Sequence, residues 1–199
     1  MGVPCPGCGR QYDITLFEFG RTIDCSCGSR VALEPRVRFL PSGSEPRFIA
    51  DAMLGSLARW LRMLGFDVAY EAHIPDEHLV RRALQQNRTL LTRDRKLPQE
   101  WTVPALYLVR ADETLAQLRE VIETFGLREA LRPFSRCSLC NAELSEASPD
   151  QIAEHVPEYV QTTATTFRSC PICDRVYWRG THTDHMWRAL ERAVGISIP

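Results

Sequence analysis

Lysine is nearly missing from this chain: of its 24 basic residues only Lys96 is a lysine, and the others are arginines. Arginine's planar fork suits phosphate, although a base-composition bias toward arginine codons explains the ratio as a whole. Excess charge of either sign is missing too. The formal net charge is −1, and residues 1–46, 47–132 and 133–199 carry 0, +1 and −2. Nothing global therefore marks a nucleic-acid binder, and any such contact must come from individual positions. No apolar run approaches the roughly 20 residues of a membrane span. The opening Met1-Gly2-Val3-Pro4-Cys5 has no signal-peptide pattern. A soluble, cytoplasmic protein with no membrane partner is expected. Cysteine, finally, is absent from Gly28 to Arg136.

The cysteines that exist form two sets of four at either side of that gap: Cys5, Cys8, Cys25 and Cys27, then Cys137, Cys140, Cys170 and Cys173. Paired cysteines in a reducing compartment point to metal rather than disulfides. Two knuckles presenting two sulfurs each are how a tetrahedral zinc site is built. A redox Cys-x-x-Cys pair or metal-free thiols are the alternatives, and two complementary pairs favour two structural zinc ions. In the first set, Tyr12 to Ile23 reads as a hairpin joining the knuckles. In the second, Ser148-Pro149 caps a short helix through His155, Pro157 stops it, and Thr162 to Arg168 reads as a strand. His182 and His185 read as a turn and the first turn of a final helix with Met186, Leu190 and Val194 on its apolar stripe, with replacement of a thiolate or a phosphate contact the alternative, for His182 above all. The layout predicts an N-terminal ribbon over 1–35, a linker over 36–46, a core over 47–132 and a C-terminal ribbon with terminal helix over 133–199.

The core alternates strand and helix. Phe48–Ala50, Val68–Tyr70, Thr89–Thr92 and Ala105–Val109 read as short buried strands. Leu54, Leu57, Leu61 and Leu64 mark one helix, Glu77 to Gln86 a second, and Leu115, Leu118, Ile122 and Phe125 a third. Such alternation predicts an α/β fold with a mainly parallel sheet and helices on both faces. An acid follows each strand: Asp51, Asp76, Asp94 and Asp112. Ligands of open α/β sheets bind beyond the carboxyl ends of the strands. Clustered carboxylates repel one another, which is tolerable when Mg²⁺ or Mn²⁺ sits among them, and such a site can hydrolyse a phosphodiester. An aspartate between strand and helix is also often a simple N-cap, a reading that suits Asp76 and Asp112 best. Phosphate contacts are expected from Arg59 and Arg62 on the first helix and from Arg93, Arg95 and Lys96 around Asp94. A solvated helix face and loop is the alternative for each.

Three stretches carry a resemblance: Phe48 to Asp67 (FIADAMLGSLARWLRMLGFD), Ile74-Pro-Asp-Glu77, and Leu90-Leu-Thr-Arg-Asp-Arg-Lys96. It continues through Arg136-Cys-Ser-Leu-Cys140 and Cys170 to His182. Over about residues 47–187 the chain resembles the PIN-like ribonuclease domain found at the C-terminus of mutator-seven-type exonucleases and as stand-alone prokaryotic proteins. The resemblance implies a PIN-like (Rossmannoid) core and C-terminal ribbon acting as one unit, with RNA as substrate. It assigns metal-binding acids to Asp51, Asp76 and Asp94, with Glu77 a substitute for Asp76. A fourth acid would be Asp112 or Glu113. The N-terminal ribbon has no counterpart in the resemblance, which leaves it open to a protein partner. The expectation is a metal-dependent endoribonuclease. Its rivals are a catalytically silent zinc-ribbon adaptor for RNA or protein and a partner-controlled toxin-like nuclease.

Overall fold

A computed structural model of the chain describes residues 2–32, 46–180, 187–188, 190–192 and 195. Residues 36–45 of the expected linker, together with His182, His185, Met186 and Val194, lie outside the described residues. In chain order the strands are β1 (Gly2–Pro4), β2 (Gln11–Asp13), β3 (Ile23–Asp24), β4 (Arg30–Val31), β5 (Arg47–Ala50), β6 (Asp67–Tyr70), β7 (Thr89–Thr92), β8 (Leu106–Leu108), β9 (Ser145–Glu146), β10 (Phe167–Ser169) and β11 (Val176–Trp178). The helices are α1 (Gly55–Met63), α2 (Asp76–Gln85), α3 (Leu97–Glu100), α4 (Thr114–Thr124), α5 (Pro149–His155) and α6 (Glu158–Thr163). None of the described helices is long and apolar enough to cross a membrane.

The fold is α/β: a four-stranded sheet in the order β6-β5-β7-β8, flanked by helices. β5 and β7 are apolar runs with almost every residue buried, as strands covered on both faces must be. The pairs β5–β7 and β7–β8 are parallel. Ala50 lies opposite Leu91, and Thr92 lies opposite Leu108. This register brings the residue after β5, Asp51, level with the last residue of β7, Thr92.

The chain divides into two compact units, Met1–Leu54 with Tyr70–Leu108 and Gly55–Ala69 with Val109–Pro199. In the first, β5, β7 and β8 carry α2, α3 and the N-terminal ribbon. That ribbon has its own small core of Cys5, Phe17, Cys25 and Val31. Its middle is not the expected hairpin. Asp13 accepts hydrogen bonds from the Thr15 N–H and hydroxyl (2.9 and 2.7 Å), which starts a 3-10 stretch over Ile14–Gly20 and turns Phe17 inward. In the second unit α1 packs against α4, burying Leu57, Ala58 and Leu61 on one and Leu118, Val121 and Ile122 on the other.

The second unit also holds the C-terminal ribbon, with β9, β10 and β11 in antiparallel order. Ser148 caps α5 in a full capping box with Gln151. The expected strand over Thr162–Arg168 is shorter, Phe167–Ser169. Its first residues instead end α6, where the Thr162 and Thr163 hydroxyls donate to the Tyr159 carbonyl (2.9 and 2.8 Å).

Candidate active site and cysteine centres

Each cysteine knuckle follows from one backbone device. The N–H of its first cysteine donates to the carbonyl five residues on: Cys5 to Arg10, Cys137 to Ala142, Cys170 to Arg175. In the shorter Cys-x-Cys knuckle, Cys25 reaches Ser29. Closing so tight a loop requires a left-handed residue, supplied by Gly9 (φ 74°), Gly28 (85°), Asn141 (71°) and Asp174 (53°). Glycine, asparagine and aspartate are the residues that tolerate it. The four sulfurs of each set lie within 4.8 Å of one another. Closest pairs are 3.5 Å apart (Cys5–Cys27, Cys8–Cys25) in the first set, and 3.3 Å (Cys140–Cys170) and 3.5 Å (Cys137–Cys173) in the second. Zn–S bonds of about 2.3 Å give tetrahedral edges of about 3.8 Å, so both quartets fit zinc.

Their proton affinities point the same way. An N–H bond from Cys27 and the Tyr12 hydroxyl pull Cys25 down to about 6. Cys8, despite an N–H bond from Arg10, is pushed up to about 11 by the other three thiols. Burial works against ionising Cys137, but the Cys140 N–H and the Tyr177 hydroxyl outweigh it and bring it to about 6. Burial pushes Cys173 up to about 12, with Cys170 and Cys137 adding to it. Four such sulfurs ionise together only around a cation.

Asp51 and Asp94 follow β5 and β7 in the first unit, and Asp76 opens α2 in the same unit. Asp51 is 7% exposed. Its N–H donates to the Leu91 carbonyl (2.9 Å), and its Oδ2 accepts from the Thr92 hydroxyl at 2.6 Å. Thr92 Oγ1 also accepts from the Asp94 N–H (2.9 Å), and Asp94 Oδ1 accepts from the Lys96 N–H (2.8 Å). One buried hydroxyl thus fixes two acids. Asp76 opens α2 behind Pro75, which makes no side-chain cap bond. The cap role expected of Asp76 therefore goes unfilled. Desolvation first, then the charges of Asp51, Asp94 and Glu100, hold its carboxyl above the usual range. The three carboxylates share a field without closing up: among the described residues, only the cysteine quartets bring three or more ligand atoms within 4.8 Å of one another.

A profile of the Mut7-C RNAse domain matches residues 46–190. The chain belongs to that family. No curated protein matches it, and no solved structure does. The Mut7-C match takes in the acids and the second quartet but begins after the first, and it points to a nuclease-type function.

Other residues expected at a Mut7-C site are placed differently. Arg62 is 4% exposed. Its guanidinium donates to the carbonyls of Val68 (2.8 Å), Ser138 (3.3 Å) and Leu139, so it fastens the C-terminal knuckle rather than facing phosphate. Burial lowers its proton affinity, and the charges of Cys137, Cys140 and Asp67 oppose that. Glu77 is tied to Arg81 (2.8 Å) one turn along α2. Arg59, Arg95 and Lys96 are exposed and Arg93 is half-buried. Asp112 and Glu113 belong to the second unit. The N-cap of α4 is Glu113, without a side-chain cap bond, and Gln117 donates to the Ala111 and Asp112 carbonyls (3.2 and 3.0 Å). Thr92 and Glu100 were not foreseen. Thr92 had one signal, a hydroxyl ending a strand of otherwise buried leucines. Glu100 had none, because α3 is too short for periodicity.

Proposed function

We propose that the chain is a divalent-metal-dependent ribonuclease whose cation binds at Asp51, Asp76 and Asp94. The observation that carries this reading is the state of Asp76: an aspartate in the first turn of α2 whose carboxyl is held above the usual range by desolvation first and then by the charges of Asp51, Asp94 and Glu100. Packing like charges beside the ends of parallel strands costs stability unless a cation offsets them. Oxygen donors suit Mg²⁺ or Mn²⁺, and Mg²⁺ keeps several of its waters, so carboxylates spaced more widely than a direct shared contact remain suitable. Such an ion supplies a hydroxide nucleophile and stabilises the leaving oxygen. Asp51 is held by Thr92 and Asp94 by its turn onto Lys96, so their donors are pre-positioned.

RNA is the proposed partner, in the cytoplasm, with Arg59, Arg93, Arg95 and Lys96 as phosphate contacts. Cleavage would leave 5′-phosphate and 3′-hydroxyl ends. The test is cleavage of end-labelled RNA by the purified chain with Mn²⁺, with EDTA, and with Asp51→Asn or Asp94→Asn. We expect cleavage with Mn²⁺, none with EDTA, and a loss of about 100-fold or more in either variant. Cleavage that survives both substitutions rejects the site. The spacing of the carboxylates favours a second reading, an RNA-binding adaptor with a silent core, whose signature is binding without cleavage.

A further inference from the structure

The N-terminal ribbon lies outside the Mut7-C match, yet it is attached at the acid edge. The Thr22 N–H donates to the Glu100 carbonyl (2.7 Å), and the Thr22 hydroxyl donates to the Gln99 carbonyl (2.8 Å). The Thr102 N–H donates to the Gly20 carbonyl, and Arg21 and Trp101 form an antiparallel bridge. Residues 20–22 and 99–102 therefore make a miniature ladder. Gly20 permits it: its φ is +81°, and a Cβ there would lie 2.3 Å from the Thr102 oxygen. The 3-10 stretch Ile14–Gly20 also packs on α2, the helix that Asp76 opens.

A single hydrogen-bonded run connects this ladder to the deepest acid. It passes from Asp51 to Thr92, Asp94 and Lys96. The Lys96 carbonyl accepts from the Gln99 and Glu100 N–H groups (2.7 and 3.0 Å), and Glu100 accepts from Thr22. Thr22 stands three residues before Cys25. Glu100 is also one of the charges acting on Asp76, the position for which the sequence suggested Asp112 or Glu113.

We propose that the N-terminal ribbon is an intramolecular brace, and that metal occupancy of Cys5, Cys8, Cys25 and Cys27 sets the position of Gln99–Thr102 and, through the Lys96 turn, of Asp94. The proposal rests on the reading of the acid edge as a cation site. Loss of the ribbon's metal loosens α3 and weakens the catalytic cation.

The experiment uses the full chain in three forms: wild type, Cys25→Ser/Cys27→Ser, and Gly20→Ala, which wedges the ladder while leaving all eight cysteines. Zinc per chain, amide hydrogen exchange at Thr22 and Thr102, and Mn²⁺ affinity by electron paramagnetic resonance are read for each. We expect the double variant to lose one zinc and Gly20→Ala to lose none. Both should exchange the two amides about tenfold faster or more and bind Mn²⁺ about fivefold more weakly or worse. Unchanged amide exchange in the double variant overturns the brace. Faster exchange with unchanged Mn²⁺ affinity overturns its link to the acids. Asp51→Asn separates the two readings: if it leaves Mn²⁺ affinity unchanged, the cation site is wrong, and amide exchange alone decides whether the ribbon's metal holds the brace.

Discussion

The two cysteine ribbons use the same knuckle and are fastened in opposite ways. The C-terminal ribbon is held largely by side chains, beside a backbone bond from the Phe134 N–H to the Met63 carbonyl (3.0 Å). Arg62 donates into its first knuckle, Asn141 accepts from the Val68 N–H (3.0 Å) and donates to Asp67 (2.6 Å), and Arg136 donates to the Gly65 carbonyl (3.2 Å). The N-terminal ribbon is held mainly by backbone groups at residues 20–22. Side-chain fastening depends on residue identity, whereas a backbone ladder tolerates almost any sequence that keeps its shape. A second contrast runs alongside. Arg62 is a buried charge provided with several partners, while the acids of the other unit are like charges left close together. One region has its buried charge satisfied by carbonyls, and the other leaves carboxylates that raise the proton affinity of Asp76.

The largest expected effect lies in the side-chain seat. Arg62→Ala strips the donor from three carbonyls and should destabilise the chain by about 3 kcal/mol or more, read by urea unfolding. A loss under about 1 kcal/mol would erase the contrast between the ribbons. Emptying each quartet separately comes next. Cys170→Ser should cost roughly 3 kcal/mol and Cys25→Ser about half as much, because zinc binding is folding free energy only for the structure it organises. Equal losses in calorimetry would show the ribbons to be equally integral. Thr92→Val removes the hydroxyl shared by Asp51 and Asp94 and should cost about 2 kcal/mol, with RNA cleavage falling further than stability explains.

Asp76→Asn should have the smallest effect and the opposite sign. Its raised proton affinity means that the folded chain binds the proton more tightly than the unfolded chain does. The carboxylate thus opposes folding above its folded pKa, and that penalty disappears as pH falls through it. The amide should therefore raise the metal-free melting temperature at neutral pH by about a degree, with no gain below the unfolded carboxylate range. A melting temperature that drops at neutral pH would show that Asp76 serves the fold.

Much of the core was legible because burial writes itself into the sequence. The four strands are apolar runs at the places they occupy, and the leucine spacing of α1 marks its inward face. The cysteine sets were legible from pairing alone. What stayed hidden depends on partners far along the chain. Arg62 looks like a surface arginine until the Ser138 and Leu139 carbonyls arrive beside it. Glu100 gives no local sign that its carbonyl will accept from the distant Thr22 N–H. Local chemistry also misled: four threonines between Thr162 and Thr166 suggest a strand, yet two of them bond back to Tyr159 and extend α6. The threonines and aromatics of Tyr12 to Ile23 suggest a hairpin, and Asp13 starts a 3-10 stretch over Ile14–Gly20 instead.

The four left-handed knuckle positions have a consequence for how the molecule can be rebuilt. Where the C-terminal ribbon uses Asn141 and Asp174, the turn residue doubles as a peg: Asn141 reaches Asp67, and Asp174 accepts from Gln151 (2.9 Å) and pairs with His155 (3.2 Å). Where the N-terminal ribbon uses Gly9 and Gly28, a Cβ would meet nothing within 4 Å. Those two corners are vacant sockets. Asparagine or aspartate can be seated there, as at the C-terminal corners, whereas other side chains are strained by the left-handed backbone whatever the space.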